Sequence, residues 1–324
     1  MAIISTADEI FDSDVYIDLR QPSASTSTSS ARDSTSPSSV KLRAAVSMVS
    51  AGMHQGFIGR GSTLIESSSG NLGVALSVVA AANSLRFVCV TDPKCNPSAL
   101  KLMRAYGSEV VVVDRPDAGG NYLTARKAKV QELCARNSDW VWLNQYENPA
   151  NWLAHYENTA PLIAKQFPGL DVLFVGAGTG GTLSGCVRYF RENHPDVRIV
   201  AIDSVGSVNF GMPPGSRHIP GLGASEPMPL ITPDLATDVV RVREADTVRM
   251  CRSLAARGFL LGGSTGTVVS GAREWLRRND PGQCLTAVAI SADLGERYID
   301  TVYDDTWTTD HYGDTGWESG NSHG

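Results

Sequence analysis

The chain has 324 residues, long enough for two compact lobes or one large α/β domain, and its 42% hydrophobic and 19% charged residues are typical of a soluble globular protein. Its net charge of -6 provides no basic surface for nucleic acid or an anionic membrane. No stretch approaches the roughly 20 apolar residues of a membrane-spanning helix, and the acidic N-terminus lacks the apolar core of a secretory signal. We therefore expect neither nucleic-acid nor membrane partners.

The six cysteines include no CxxC pair and no zinc-type spacing, so we predict no metal site. Several stand in apolar surroundings, as Cys89 does in FVCV, and we interpret each of the six as a buried structural thiol. Free thiols are typical of a reducing compartment, and this favours the cytoplasm.

Residues 22–39 differ in composition from the rest, because 12 of these 18 positions are Ser or Thr. Such a stretch buries little apolar surface and is predicted to form a flexible or lid-like loop. We assign it to an N-terminal segment, residues 1–40, that is expected to pack on the larger lobe.

After this loop, apolar strands alternate with helical patterns of 10 to 15 residues, which indicates βαβ units and a parallel sheet. In the first half the predicted elements are a helix in VKLRAAVSMVSAGMHQG, a strand in STLIES, a helix in NLGVALSVVAAANS, a strand in RFVCVTD, a helix in SALKLMRAYGS and a strand in EVVVVD. In the second half they are a helix through 157–167, a strand in DVLFVGAG, a helix in TLSGCVRYFRENH, a strand in VRIVAIDS, helices in TVRMCRSLAARG and SGAREWLRR, and a strand in LTAVAIS.

The pattern predicts an α/β fold of two lobes. We place the small, substrate-gripping lobe at 41–147, the large, cofactor-binding lobe at 148–307, and a loose tail at 308–324. Residues 204–230 are rich in Gly and Pro and are predicted to form a long functional loop.

The strongest local signal is VLFVGAGTGGTLSG, in which an apolar strand leads into a glycine-rich turn that opens a helix. Backbone N–H groups and the helix dipole at such a turn favour a phosphate. Gly176, Gly178 and Gly181 also satisfy the G-x-G-x-x-G pattern of dinucleotide folds, and Asp203 ends the next strand. By itself this motif leaves a nicotinamide-dependent oxidoreductase open.

Two further small-residue turns precede helices. In ESSSGNLG, residues 66–73, three serines and Asn71 cluster polar groups at a helix start, where a carboxylate can bind. A helix cap needs one such residue, and here four stand together. The third turn is GGSTGTVVSGA, residues 262–272. Three anion-friendly helix starts are more than a single nucleotide site requires.

In this order and spacing, SVKLRAAVSM, ESSSGNLGVAL, GAGTGGTLSG and GGSTGTVVSGA resemble the cysteine synthase and cystathionine β-synthase family of fold-type II pyridoxal-phosphate enzymes. The resemblance extends over most of residues 38–307. It implies two lobes, each a largely parallel twisted sheet with helices on both faces, and a homodimer. It also implies pyridoxal 5'-phosphate as the cofactor and β-replacement through an aminoacrylate.

The resemblance assigns roles to individual residues. Lys41 would form the Schiff base and later act as a base, Asn71 would bond the ring hydroxyl, and Ser264 would meet the pyridine nitrogen. The cofactor phosphate would be held by Gly178, Thr179, Gly180, Gly181 and Thr182. The carboxylate of an amino-acid substrate would be bound by Ser67, Ser68, Ser69 and Gln145.

Longer similarities, among them LNQYENPANWLAHY, DSVGSVNFG and GERYIDTVYDDTW, indicate a narrower branch. Its enzymes join O-phospho-L-serine to the amino group of L-glutamate, in the supply of 2,3-diaminopropionate for siderophores and peptide antibiotics. A doubly charged leaving group requires a cation or several donors. Arg126 and Tyr146 are our candidates for contacting substrate, although a solvated helix arginine is an equal interpretation of Arg126. Arg217 is a weaker candidate for a glutamate carboxylate.

The chain departs from the family before the lysine. Members usually carry a Gly-x-Thr-Pro segment near the start, which is absent here. They also carry an Asn-Pro-x-Gly-Ser run just before the lysine, and SPSSVK replaces that run in this chain. Three other functions remain open: a cysteine synthase that uses sulfide on O-acetylserine or O-phosphoserine, a dinucleotide-binding oxidoreductase, and a non-catalytic small-molecule sensor on the same scaffold.

Overall fold

The computed structural model describes residues 15–16, 19, 32–33 and 40–313. Strands β1 (Val15–Tyr16) and β2 (Arg32–Asp33) pair antiparallel. Leu19 packs against a small apolar cluster near the end of the chain, and its carbonyl accepts a hydrogen bond from Arg257 Nη1 at 3.2 Å. The rest of the predicted Ser/Thr-rich loop lies outside the described residues.

The first large sheet is parallel, with the strand order β5-β4-β3-β6. Its strands are β3 (Thr63–Ser67), β4 (Arg86–Thr91), β5 (Glu109–Val112) and β6 (Trp140–Trp142). Its helices are α1 (Lys41–His54), α2 (Asn71–Ala82), α3 (Pro97–Ala105) and α4 (Tyr122–Arg136). Alternate residues of β3 explain the layers: Leu64 packs in the core with α1, α2 and α3, whereas Ile65 packs on the opposite face with α4.

The second large sheet is also parallel, with the strand order β10-β7-β8-β9. Its strands are β7 (Val172–Gly176), β8 (Arg198–Ser204), β9 (Asp238–Val242) and β10 (Ala287–Ala289). Helices α7 (Gly181–Asn193), α8 (Glu244–Ala255) and α9 (Gly263–Asn279) complete this half. Leu173 faces the core that includes α7, and Phe174 faces the core that includes α9, so helices cover both faces. The predicted α/β fold with two parallel sheets is confirmed.

A composite helix connects the two sheets. It consists of α5 (Pro149–Ala154), a π-helical turn (His155–Thr159) and α6 (Ala160–Gln166). The prediction that this helix covers 157–167 was wrong at its start. Asn148 caps α5 by accepting the Ala150 N–H at 3.0 Å, and proline is well placed in the first turn. The two sheets lie on either side of the predicted boundary at 147/148, and the division into lobes there stays a prediction.

The prediction that a loose tail begins at residue 308 was wrong at its start. Residues Asp305–Tyr312 form helix α10, which Asp304 caps by accepting the Trp307 N–H at 2.6 Å. Thr308 is buried, and Trp307 and Tyr312 pack against the core around Val302, which holds the helix on the protein. Residues 314–324, the remainder of the predicted tail, lie outside the described residues.

The cysteines only partly follow the sequence interpretation. Cys89, Cys95, Cys186 and Cys251 are buried, Cys134 is half-buried, and Cys284 is exposed. Cys284 follows the turn after α9, where Asp280 binds its N–H, so a buried role for this thiol was wrong. None of the helices in the described residues is long and apolar enough to span a membrane.

Candidate active site

A cavity of about 830 Å³ lies where the carboxyl ends of strands from both sheets come together. Residues that follow β3, β4, β7 and β10 line it, together with the start of α1 and the loop between β8 and β9. Of the residues singled out from the sequence, those in the lining are Lys41, Ser68, Ser69, Asn71, Arg126, Gln145, Tyr146, Gly178, Thr179, Gly180, Gly181, Thr182, Arg217 and Ser264. Ser67 is not among them.

Lys41 is the first residue of α1 and is anchored on both sides. The Val40 N–H donates to the Ala292 carbonyl at 2.9 Å, which fixes the start of the helix beside the segment after β10. Lys41 Nζ donates to Thr179 Oγ1 at 3.3 Å. Burial lowers the pKa of Lys41 to about 8, although the nearby Glu66 raises it in part. An amine with this pKa has a substantial neutral fraction near neutral pH, as a nucleophile or base requires.

Glu66 is a fully buried acid that the sequence analysis did not single out. Its Oε1 accepts the Ser67 N–H at 2.7 Å and Trp142 Nε1 at 3.3 Å, and its Oε2 accepts the Gln145 N–H at 3.0 Å. Burial raises the pKa of Glu66 to about 7, and these hydrogen bonds oppose the rise. The available signal was a charged residue at the end of the otherwise apolar strand TLIES.

The glycine-rich turn after β7 is the predicted phosphate cradle. Gly180 precedes α7 in the left-handed region, with φ +95°, and a Cβ there would lie 2.7 Å from Ile231 Cγ1. Only glycine fits this position without strain. The turn leaves the N–H groups at the start of α7 directed at the cavity end of the helix, where the dipole also favours negative charge. This backbone geometry is compatible with a phosphate, and phosphate binding at the turn stays a prediction.

The composite helix holds the hydroxyl groups of this cradle. Asn151 Nδ2 lies 3.4 Å from Thr179 Oγ1, and His155 Nε2 lies 3.2 Å from Thr182 Oγ1. These helical residues are four apart, so both face α7. Gly185 permits the close approach, since a Cβ there would lie 2.7 Å from His155 Cβ. Neither Asn151 nor His155 was singled out from the sequence, because the helix was predicted to begin after both.

The serine-rich loop before α2 is organised by its own hydrogen bonds. Ser68 Oγ accepts the Gly70 N–H at 3.2 Å and the Gly73 N–H at 2.9 Å. The Ser67 carbonyl accepts Gln145 Nε2 at 2.8 Å, and Tyr146 OH donates to Ser67 Oγ at 3.2 Å. The structure thus brings Ser68 and Ser69 to the cavity, and it places Ser67 behind them as a support for Gln145 and Tyr146.

Arg126 reaches the cavity from α4 and is only 7% exposed, so the interpretation of a solvated helix arginine was wrong. Its Nη1 lies 3.2 Å from Asp92 Oδ2, and its Nε has no hydrogen-bond partner among the described residues. Tyr146 is buried in the same wall, and burial raises the pKa of its hydroxyl. A buried guanidinium with donor capacity left in the cavity wall suits an anionic substrate group.

Arg217 and Asp203 belong to the wall formed by the loop after β8. Arg217 Nη1 donates to the Leu222 carbonyl at 3.1 Å; burial lowers the pKa of the guanidinium, and Asp203 opposes this. Asp203 is buried, and its Oδ1 accepts the Ser204 N–H at 2.8 Å. The acid that a dinucleotide fold would use for a ribose is therefore engaged inside the protein.

Ser264 and Asn71 open the helices α9 and α2. Ser264 is 2% exposed, and its Oγ lies 3.5 Å from the Pro220 carbonyl, at the cavity wall. Residues 262–272 were predicted to form a turn that opens a helix, whereas α9 already begins at Gly263. Asn71 Nδ2 donates to Asp293 Oδ2 at 2.7 Å.

Three contacts tie α4 to the loop after β8 across the cavity mouth, and we refer to them as the closing contacts. Lys127 Nζ lies 2.6 Å from Glu226 Oε1, Thr124 Oγ1 donates to Glu226 Oε2 at 3.3 Å, and Ser225 Oγ donates to Asn121 Oδ1 at 2.8 Å. They therefore join helix α4, which packs on the first sheet, to the loop between β8 and β9 of the second sheet.

Comparison with known proteins gives matches over most of the chain. Residues 32–292 match the family described as pyridoxal-phosphate dependent enzyme. The N-(2-amino-2-carboxyethyl)-L-glutamate synthase of Ralstonia nicotianae is 42% identical over 83% of this chain and 80% of its own length. The enzyme of the same name from Cupriavidus metallidurans is 40% identical over 83% of this chain and 80% of its own length.

Solved structures agree with these matches. The O-acetylserine dependent cystathionine β-synthase of Helicobacter pylori superposes with a TM-score of 0.85 at 27% identity, over 93% of this chain and 99% of that one.

Proposed function

Because the chain belongs to the pyridoxal-phosphate dependent enzymes, we propose that it joins O-phospho-L-serine and L-glutamate into N-(2-amino-2-carboxyethyl)-L-glutamate with release of phosphate. The predicted family and cofactor are confirmed by this membership. The single observation that carries the proposed reaction is the identity of 40% or more to two synthases of that name over most of the chain. Neither the sulfide-dependent nor the dinucleotide-dependent alternative has comparable support.

The cavity residues fit the cofactor. The backbone cradle before α7 suits its phosphate, and the buried amine of Lys41 lies 3.3 Å from that cradle at Thr179 Oγ1. We propose that the phosphate is held by Gly178, Thr179, Gly180, Gly181 and Thr182. Asn71 would bond the ring hydroxyl and Ser264 the pyridine nitrogen. When bound, pyridoxal phosphate supplies an electron sink next to the α-carbon of the amino acid.

Lys41 is the proposed acid–base residue. With its pKa lowered to about 8, Nζ can remove the proton from the α-carbon of phosphoserine and later return one to that carbon. The neutral hydroxyl of Ser264 does not enforce a protonated ring, as an aspartate would. The weaker electron withdrawal favours expulsion of the β-substituent over accumulation of a carbanion.

Substrate binding divides between two walls. Ser68 and Ser69, which precede α2, and Gln145, which follows β6, are proposed to bind the α-carboxylate of phosphoserine. Ser67 is proposed to act indirectly, since Gln145 and Tyr146 both bond it.

Arg126, with its ion pair to Asp92, is proposed to bind the phosphate that leaves, assisted by Tyr146. Arg217, from the opposite wall, is the proposed partner of a glutamate carboxylate.

The reaction is tested with purified holoenzyme and O-phosphoserine, supplied with either glutamate or sulfide. We expect equimolar phosphate and N-(2-amino-2-carboxyethyl)-L-glutamate with glutamate, measured by phosphate assay and mass spectrometry. A product only with sulfide would refute the proposal and favour a cysteine synthase.

The role of Arg126 is tested by Arg126→Met. A lost charge-assisted hydrogen bond predicts a KM for phosphoserine raised about 10- to 100-fold. Arg136→Met is the matched control, because Arg136 lies on the same helix but is exposed and paired with Glu132. An unchanged KM in Arg126→Met would remove Arg126 from the substrate site.

We further propose that the enzyme is a cytoplasmic homodimer that acts on small amino-acid substrates. The dimer is supported by the resemblance to a usually dimeric family, and the compartment by the free thiols of all six cysteines. Light scattering that gives the mass of one chain at working concentration would contradict the dimer.

A further inference from the structure

The segment after β10 carries polar groups to which the proposed reaction assigns no role. Asp293 and Tyr298 are buried, with 5% and 3% of their surface exposed, and Arg297 is half-buried. Residues Glu296–Tyr298 form a 3-10 turn, and both Arg297 and Tyr298 line the cavity. Buried ionisable groups beside a cavity need a physical reason.

The contacts of this segment converge on the side chain of Asn71. Asn71 Nδ2 donates to Asp293 Oδ2 at 2.7 Å, and Arg297 Nη1 donates to Asn71 Oδ1. Tyr298 OH donates to the same Asp293 oxygen at 2.6 Å. A carboxylate therefore holds the amide nitrogen while a guanidinium holds the amide oxygen. An amide group with such partners has one orientation, since a flip would set donor against donor and acceptor against acceptor.

The backbone of Gly262 holds Asp293 in place. The Gly262 N–H donates to the Asp293 carbonyl at 2.9 Å, and a Cβ on Gly262 would collide with the Asp293 carboxylate. Burial raises the pKa of Asp293, whereas its hydrogen bonds from Tyr298 and Asn71 and the charge of Arg297 lower it. The pKa of Asp293 stays above its ordinary value, and these partners offset part of that rise by favouring the ionised form.

The same segment reaches a second helix. Asn96 Nδ2 donates to the Arg297 carbonyl, and Asn96 Oδ1 accepts the Ser98 N–H at 2.8 Å as the cap of α3. The 293–298 segment, which follows the second sheet, thus contacts the N-termini of α2 and α3 from the first sheet. The orientation of Asn71 is set by a link between the two halves of the molecule.

We infer that Asp293 and Arg297 are positioning residues that fix the Asn71 amide with its second N–H directed at the cofactor ring. This rests on the proposed function for the assignment of Asn71 to the ring hydroxyl. An Asn amide has two N–H donors, and Asp293 occupies one of them. Arg297 excludes the flipped amide, which would present an oxygen to the ring oxygen.

The test is a double-mutant cycle on cofactor affinity, read from titration of the cofactor-free enzyme with pyridoxal phosphate and from the visible absorbance of the holoenzyme. Asn71→Ala and Arg297→Met are each expected to weaken binding by about tenfold and to shift the absorbance band. If Arg297 acts through Asn71, the double variant binds no more weakly than Asn71→Ala alone. Multiplied losses in the double variant, or an unchanged band in Arg297→Met, would overturn the inference.

Arg297→Lys guards against a purely structural effect. It keeps the charge and a donor, so it is expected to restore most of the affinity lost in Arg297→Met, with circular dichroism confirming the fold of each variant. The cycle involves neither phosphoserine nor glutamate. It can therefore fail while wild-type enzyme still forms the proposed product, and the product assay can fail while the cycle succeeds.

Discussion

Helices α7 and α2 both begin at the cavity, but their first residues are built differently. At α7 the proposed anion site is formed by backbone: Gly180 supplies the left-handed turn, and the neighbouring hydroxyls are held by Asn151 and His155 from another helix. At α2 the polar groups are side chains. Ser68 ties the loop to itself, and Asn71 depends on residues of the other sheet.

The two sites are therefore sensitive to different substitutions. A backbone cradle tolerates changes of polar side chains but not an added Cβ at its turn. A side-chain site tolerates backbone adjustments but responds to the loss of one functional group. Four substitutions test this comparison between the backbone site at α7 and the side-chain site at α2.

The largest effect is expected where the two sites meet, at Lys41, which hydrogen-bonds Thr179 of the cradle. Lys41→Ala should lower the rate of product formation by about 10³-fold or more, because both the covalent attachment and the base are lost. The backbone cradle should still retain the cofactor, measured as cofactor bound after gel filtration. Undiminished turnover would exclude Lys41 as the base, and a wild type without turnover whose ligand binding survives in Lys41→Ala would indicate a sensor.

The substitution Glu66→Gln tests the side-chain site through the pH dependence of the free energy of unfolding. Burial raises the pKa of Glu66 from the ordinary 4.5 to about 7 in the folded chain, so the folded state binds more protons than the unfolded state between these pH values. The free energy of unfolding of cofactor-free protein should therefore fall as pH rises through this window, by about 3 kcal/mol. In the isosteric Glu66→Gln the fall should be smaller by this amount, because the remaining fall comes from other buried acids such as Asp293, whose pKa burial also raises. Urea titrations at several pH values measure the free energy of unfolding. An equal dependence of this free energy on pH in both proteins would contradict the burial of the Glu66 carboxylate.

Gly180 tests the backbone site. Gly180→Ala forces an L-residue to a φ of +95° and a Cβ against Ile231, so we expect a loss of about 1 to 3 kcal/mol in stability and about tenfold in cofactor affinity. Gly169→Ala is the matched control, since a Cβ there meets nothing within 4 Å. Thermal unfolding and cofactor titration measure both variants, and equal behaviour would show that the turn is not restrictive.

The smallest effect concerns the closing contacts. Lys127 and Glu226 are partly exposed, so Lys127→Met should cost less than about 1 kcal/mol, seen as a few-fold higher KM for phosphoserine at low salt. Added salt should reduce the difference because it screens exposed charges. Lys129→Met, on the same helix but paired with Glu132, serves as the control. A loss of kcat beyond tenfold would mean that the contact is part of the catalytic site.

Much of the fold follows from local pattern. The apolar runs at β3 and β4 and the small-residue helix α2 occur close to their predicted positions, because their side chains are buried on both faces. The backbone cradle was also predictable, since glycine spacing encodes a turn directly.

The residues that the sequence did not reveal are those whose meaning depends on distant partners. Asp293 meets Asn71 across 222 positions, and no local periodicity announces such a contact. The second part of helix α10, residues 308–312, was assigned to the tail because its polar sequence resembles the residues that follow it. Its cap, Asp304, becomes informative only when the cluster that buries Thr308 is known.

Because of the π-helical turn His155–Thr159, the number of residues in this segment has a structural consequence in addition to that of their types. Such a turn holds an extra residue compared with an α-helix. Deleting one position between 155 and 159 would therefore restore regular α-helical winding and leave the residues after it close to their present orientation. Ile163, which is buried against the second sheet, would stay in its core. Among relatives, a one-residue difference in length should therefore be tolerated at this turn more readily than in the regular helix on either side of it.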